Sequence, residues 1–304
     1  MSARACSRQG AAGFGLIELM VGMMLGLMVT IAAIGIFLSN QQTYRSTEGL
    51  SRIQESARTA FDLMSRDLRV AGGSACTSRA LTNTLSSSAW WGSLSRWGDA
   101  LKGYSSSTEF SDATPAFGSG KGARVAGTAA LQMFSGSDYV ASVAADSGTV
   151  FTLNGSVHDF VSGDVLLVCD GNTSSVFAAS SVATTSLSHP GTISYAANAA
   201  VARFNALRWY VAYNGNGSTS LYRSRLYAGA LKQEEVAQGV SAMALSYLVS
   251  GASGYVDAAA VSDWSSVVAV RIALTVDSPD KVGSDGKVLQ RSLVHVVGLR
   301  NRGG

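Results

Sequence analysis

The chain has 304 residues, a formal net charge of +3 and only 14% charged residues. That length allows one large or two small domains, and the charge excludes the basic surface that nucleic-acid binding needs. Abundant Gly, Ser and Ala suit an exported chain rich in turns and strands better than a helical cytosolic enzyme. Residues 14–38 are apolar apart from Glu18, and are long enough to cross a bilayer as a helix. A lone acid there is costly in lipid, so it needs a partner or a purpose. Arg4 and Arg8 precede the run with no acid among them, which holds the N-terminus in the cytoplasm and places the remainder outside. A secretory signal has a shorter apolar core and a small-residue cleavage site after it, and this run is too long for one.

The residues that open the run carry a resemblance. Gly13-Phe14-Gly15-Leu16-Ile17-Glu18 resembles the class III signal of type IV pilins and pseudopilins, written G-F-T-L-I-E, with Gly15 in place of the threonine. The resemblance implies that a prepilin peptidase cuts between Gly13 and Phe14 and N-methylates Phe14. It implies that Glu18 neutralises the amine of a neighbouring subunit's Phe14 during assembly. Residues 1–13 would then be a leader, and their removal would take away Arg4, Arg8 and Cys6.

From residue 39 to 72 the helix pattern continues and becomes amphipathic. Leu50, Ile53, Ala57, Phe61, Met64 and Leu68 recur at three- and four-residue steps, with arginines and glutamates mostly off that stripe. Asp62 and Arg66 have the spacing of an i, i+4 ion pair. Gly72-Gly73 is a natural stop. One helix over residues 14–70 would be roughly 85 Å long. Gly22 and Gly26 have the spacing that lets helices approach closely, and a chance pair reads equally well.

Residues 74–136 read as an irregular insert containing Trp90, Trp91 and Trp97. They are either an exposed adhesive patch or anchors pinning the segment onto a sheet, the second favoured because large aromatics bury. Gly118 to Gly122 glances at a phosphate loop but lacks its first glycine and its Ser or Thr.

From residue 137 short β-rich runs follow, at 138–143, 149–153, 164–169 and 175–179. Runs at 203–213 and 220–227 flank Asn214-Gly215-Asn216-Gly217, a strong hairpin signal. Residues 236–249 read as strand or short helix, and 267–276 and 288–299 as strands. Cys76 and Cys169 are an even pair once the leader is gone. In an oxidising compartment a disulfide is the default, with two buried thiols as the alternative.

Several of these later motifs resemble the PilW family of minor pilins. They are Gly136-Ser137-Asp138-Tyr139-Val140, Gly163 to Asp170 with Ser175-Val176-Phe177, Leu207 to Val211 with Ser220 to Arg223, and Trp264 with Val267 to Ile272. The fold expected is α+β: a long N-terminal helix, transmembrane then amphipathic, packed on a mostly antiparallel β domain over residues 73–304. The resemblance implies a minor pilin that primes pilus assembly near the tip. Its partners would be other minor pilins, the major pilin, a prepilin peptidase, the inner-membrane assembly platform and a tip adhesin. The protein would sit in the inner membrane of a Gram-negative bacterium with its C-terminal domain in the periplasm, and in the pilus. A minor pseudopilin of type II secretion is the runner-up. A membrane-anchored periplasmic enzyme is disfavoured, because no catalytic constellation stands in the sequence. His158, His189 and His295 have no ligand spacing, and Asp277, Asp280 and Asp285-Gly286 fit a solvated turn better than a calcium loop. No metal or cofactor is expected.

Overall fold

The computed structural model describes residues 15–76, 80–85, 89–156, 158–283 and 285–301. One helix, α1, runs unbroken over Leu16–Val70. It ends where Gly72 takes φ +74°, a conformation glycine adopts without strain. The Gly72 amide then donates to the Phe134 carbonyl at 2.8 Å, handing the chain to a strand. Along its second half Ile53, Ala57, Ala60, Met64 and Leu68 are all at most 1% exposed. Their spacing of three and four puts them on one face, and burying each large one contributes about 1.5–3 kcal/mol. Asp62 pairs with Arg58 at 3.8 Å instead of Arg66, and both partners of that pair are exposed.

Fifteen strands follow among the described residues. In chain order they are β1 (Ala80–Asn83), β2 (Leu101–Tyr104), β3 (Ala130–Asp146), β4 (Val150–Leu153) and β5 (Val165–Cys169). Next come β6 (Thr173–Ala178), β7 (Val182–Ala183), β8 (Ser186–Ser188), β9 (Ala200–Tyr213) and β10 (Thr219–Tyr227). The last are β11 (Ala230–Gln238), β12 (Val240–Val249), β13 (Tyr255–Val256), β14 (Val267–Asp277) and β15 (Gln290–Gly298). They form an eleven-stranded sheet and a four-stranded sheet ordered β13-β12-β14-β15. Pairing is antiparallel except between β1 and β6. The fold is therefore α+β, a long apolar-ended helix on a predominantly antiparallel β domain.

The long strand β9 organises the larger sheet. One edge pairs with β3 along most of its length; the other pairs with β5 and then with β10. The β9–β10 hairpin closes where Asn214 Oδ1 accepts from the Asn216 and Ser218 amides and Gly217 takes φ +78°. Both sheets and α1 share one core, in which Trp209, Leu131 and Met133 meet Met243, Tyr247 and Ile272.

The segment read as an irregular insert is more ordered than expected. It contains β1, β2, two short 3-10 helices at Trp90–Ser93 and Trp97–Asp99, and the first half of β3. Ala130 to Gly136 is buried throughout, because α1 covers one face and the insert the other. A strand covered on both faces loses the alternation by which strands are recognised. The tryptophans pin the segment: Trp90 packs tilted against Phe134 and edge-on to Trp91, and Trp97 donates to Ser174 Oγ at 3.2 Å.

Candidate functional site

The bare half of α1 is the most unusual surface of the molecule. From Leu16 to Leu38 every residue is exposed, and the apolar window that could cross a membrane has no part buried within the chain. At about 1.5 Å per residue this stretch is roughly 35 Å long, enough for a hydrocarbon core of ~30 Å. Glu18 sits in the first turn of the helix and is its one acid there. Gly22, Gly26 and Gly35 have open space where a side chain would be, so a neighbouring helix could approach the backbone closely there. Gly13 and Phe14 lie outside the described residues.

Where α1 leaves the bare stretch, the turn between β14 and β15 closes on it. The Val282 carbonyl accepts from Gln42 Nε2 at 2.9 Å and Ser46 Oγ at 2.6 Å. Gly49 makes this approach possible, since an added Cβ would meet Val282 Cγ2 at 2.8 Å. The three aspartates considered for calcium are divided in that region. Asp285 Oδ1 caps its own turn at the Lys287 amide, and Asp277 Oδ1 accepts from Gln290 Nε2. Among the described residues no three His, Cys, Asp or Glu side chains come together as metal ligands. His189 lies against Phe151 and bonds Asp146, while His295 lies against Phe61.

Higher on α1, Asp67 ties the helix to the sheet. It accepts from Trp209 Nε1 at 3.0 Å and lies 3.5 Å from Arg223 Nη1. Burial pushes its carboxyl pKa up, and the pull of Arg223 and the Trp209 bond only partly oppose that. The folded pKa therefore exceeds the unfolded one. Protonation stabilises the fold fully below the unfolded pKa, and that stabilisation is lost as pH rises through the folded pKa. Asp67→Asn keeps an acceptor for Trp209 and removes the charge. Its melting temperature relative to wild type should rise as the pH is raised from 4 to 7. Asp67→Ala should instead lose about 1–3 kcal/mol, because the Trp209 N–H is left unpaired. Thermal melts of the three proteins across that range check both statements; an Asn variant that falls behind wild type on raising the pH refutes them.

At the far end of α1 Cys76 and Cys169 form a disulfide with Cα atoms 6.0 Å apart. The pair expected from sequence is thus brought together. Sequence reasoning missed the buried arginine that holds the insert. Arg208, fully buried, donates to Gln132 Oε1 at 2.9 Å, to Asp112 Oδ1 at 2.7 Å and to the Thr114 carbonyl. Its guanidinium lies 4.2 Å from the Trp90 ring centre and 4.1 Å from that of Phe110. The only signal was its place in β9, one residue before Trp209 and so on the opposite face. Its partners lie in the distant insert and could not be read locally.

Residues 208–300 match a family model described as type IV pilus-assembly protein W. No curated protein matches the chain. The matched stretch begins at Arg208 within β9 and runs through the whole four-stranded sheet to Arg300, leaving α1 and the insert outside it. Over that stretch the chain is similar to proteins of type IV pilus assembly, and a part in that assembly is the function the match supports.

Proposed function

We propose that the protein is a minor pilin that primes pilus assembly and resides near the tip. The carrying observation is the helix: bare and apolar from Leu16 to Leu38, then buried along one stripe beneath the β domain. A chain of this shape stays anchored in a bilayer until its apolar half is transferred into a bundle of similar helices. Residues 1–13 are the leader, cut by a prepilin peptidase before Phe14, which is then methylated. Residues 14–38 are the transmembrane and assembly segment, 39–72 its amphipathic continuation, and 73–304 the periplasmic domain with the insert at 74–136. Glu18 faces the Phe14 amine of a neighbouring pilin, because an uncompensated carboxylate is costly in an apolar bundle. Partners are other minor pilins, the major pilin and the inner-membrane platform of a Gram-negative cell, with a tip adhesin as a further candidate. The description of the matched family favours the pilus over a secretion pseudopilin.

Two substitutions test the reading. Glu18→Ala should be inserted and cleaved as wild type but fall at least tenfold in sheared pili, by immunoblot against the membrane fraction. Gly13→Val should keep the leader, because a larger side chain obstructs the scissile site. Mass spectrometry of the wild-type N-terminal peptide should begin at a methylated Phe14. Equal recovery of the Glu18 variant in pili, or an intact leader in assembled protein, overturns the respective role.

A further inference from the structure

We propose that the pocket between α1 and the β14–β15 turn binds the phosphodiester headgroup of an anionic phospholipid, with Arg45 and Lys281 as its cations. The inference rests on the anchoring reading above. The pocket is a cavity of about 390 Å³ lined by Arg45, Glu48, Gly49 and Arg52 of the helix and by Pro279, Asp280, Lys281 and Val282 of the turn. Its walls are held in place without a ligand. Gln42 and Ser46 bond the Val282 carbonyl, and Ser278 bonds Leu289 across the base of the turn.

Position selects the ligand. The bare stretch ends at Leu38, and residues 39–44 carry no charge. Arg45 is the first cation beyond the apolar run, roughly 10 Å further along the helix. An arginine side chain is long enough to reach from there to the level of lipid phosphates. Lys281 enters the same cavity from the β domain, so the turn supplies a second cation at that height.

Charge selects it further. Arg52 is taken by Glu48 at 2.7 Å, one turn away on the same helix. Among the described residues neither Arg45 nor Lys281 has a carboxylate within ion-pair distance. Both are exposed. Two cations thus flank the cavity with Asp280 as the remaining carboxylate in its lining. A phosphodiester satisfies the cations, and Asp280 can accept from the hydroxyls of a glycerol headgroup. Phosphatidylglycerol has both features; a zwitterionic choline lipid would set its ammonium against two cations.

The test uses the full-length protein in detergent, titrated with phosphatidylglycerol or phosphatidylcholine and read by native mass spectrometry. Wild type should hold phosphatidylglycerol at least tenfold more tightly than phosphatidylcholine. Arg45→Gln with Lys281→Gln should weaken phosphatidylglycerol by about fivefold per cation removed, roughly 25-fold together. Arg66→Gln with Arg69→Gln removes the same charge from the exposed face of α1 far from the bare stretch and should leave binding unchanged. Equal affinity for the two lipids, or equal losses in the two double variants, overturns the site. Displacement of the lipid by millimolar inorganic phosphate also overturns it, since the pocket would then read a free anion. Carbonate extraction of membranes separates this outcome from the anchoring reading. Release of the wild-type chain into the soluble fraction sinks the anchor; retention with no lipid preference sinks only the pocket.

Discussion

Reducing the Cys76–Cys169 bond should lower the unfolding free energy by up to about 4.5 kcal/mol, the chain-entropy value for a closed loop of about 90 residues. The bond joins residues 93 positions apart. Little of the effect should come from lost native contacts. On the helix side the Gly72 amide already bonds the Phe134 carbonyl at 2.8 Å, and Gly136 N–H bonds the Gly73 carbonyl at 2.7 Å. On the sheet side Cys169 is fixed between Ser174 of β6 and Ala200 of β9. What reduction releases is the unfolded chain, which regains the freedom the link had removed. For a domain of this size each kcal/mol shifts the melting point by about 2–4 °C, so a fall of roughly 10 °C is expected. Cys169→Ala should cost more than Cys76→Ala, since Cys169 is 1% exposed and its loss leaves a hole in the strand layer. Calorimetry with and without reductant measures the shift, and alkylation of the unreduced, unfolded protein should label neither cysteine. Two labelled cysteines, or a melting point indifferent to reductant, would falsify the bond's role.

Much of the architecture was legible because it is written in local periodicity. The stripe from Ile53 to Leu68 has a period of 3.6, Gly72 stops it, and Asn214 to Gly217 turns a hairpin. Glu18 stood out because a charge in an apolar run has no local explanation. What escaped depends on layers. The start of β3 is buried by the insert on one side and the core on the other, so no alternation marks it. Residues 236–249, read as strand or short helix, are the end of β11 and all of β12, parted at Gly239 with φ +79°. There the Asp277 carbonyl lies 2.5 Å from where a Cβ would stand, so only glycine lets the chain cross from one sheet to the other. The roles of Asp67 and Arg208 were hidden for a third reason. Asp67 bonds a residue 142 positions away and Arg208 one 96 positions away, and only the topology sets such pairings.

Gly103→Ala should destabilise the protein by about 3 kcal/mol, the upper part of the range for an overpacked core. β2 carries Leu101 and Gly103 toward the core while Lys102 faces solvent and Tyr104 the insert. Gly103 is where this strand of the larger sheet meets the smaller sheet. A methyl group there would collide with Tyr247 Oη and Cζ of β12 and stand 2.8 Å from Trp264 Cη2. Neither ring can easily give way. Tyr247 is fully buried, and Trp264 stands edge-on to it at 4.8 Å between ring centres. Pushing Tyr247 aside would disturb a core it shares with Ile53, Met64 and Ile272, whereas pulling β2 back would break its pairing with β3 at Leu131 and Met133. The junction also links the outer segment, which lies outside the matched pilus-assembly stretch, to Tyr247 and Trp264 within it. Loosening it should therefore free the insert before the rest of the domain unfolds. Gly120→Ala, in the same segment but with nothing within 4 Å of its added Cβ, is the matched control and should change stability little. Thermal melts of both variants give the size of the effect, and hydrogen exchange gives its place. Protection should fall first in β2 and in the Trp90–Ser93 turn for Gly103→Ala; a Gly103 variant as stable as the Gly120 variant would show that the two sheets do not meet there as tightly as the contacts require.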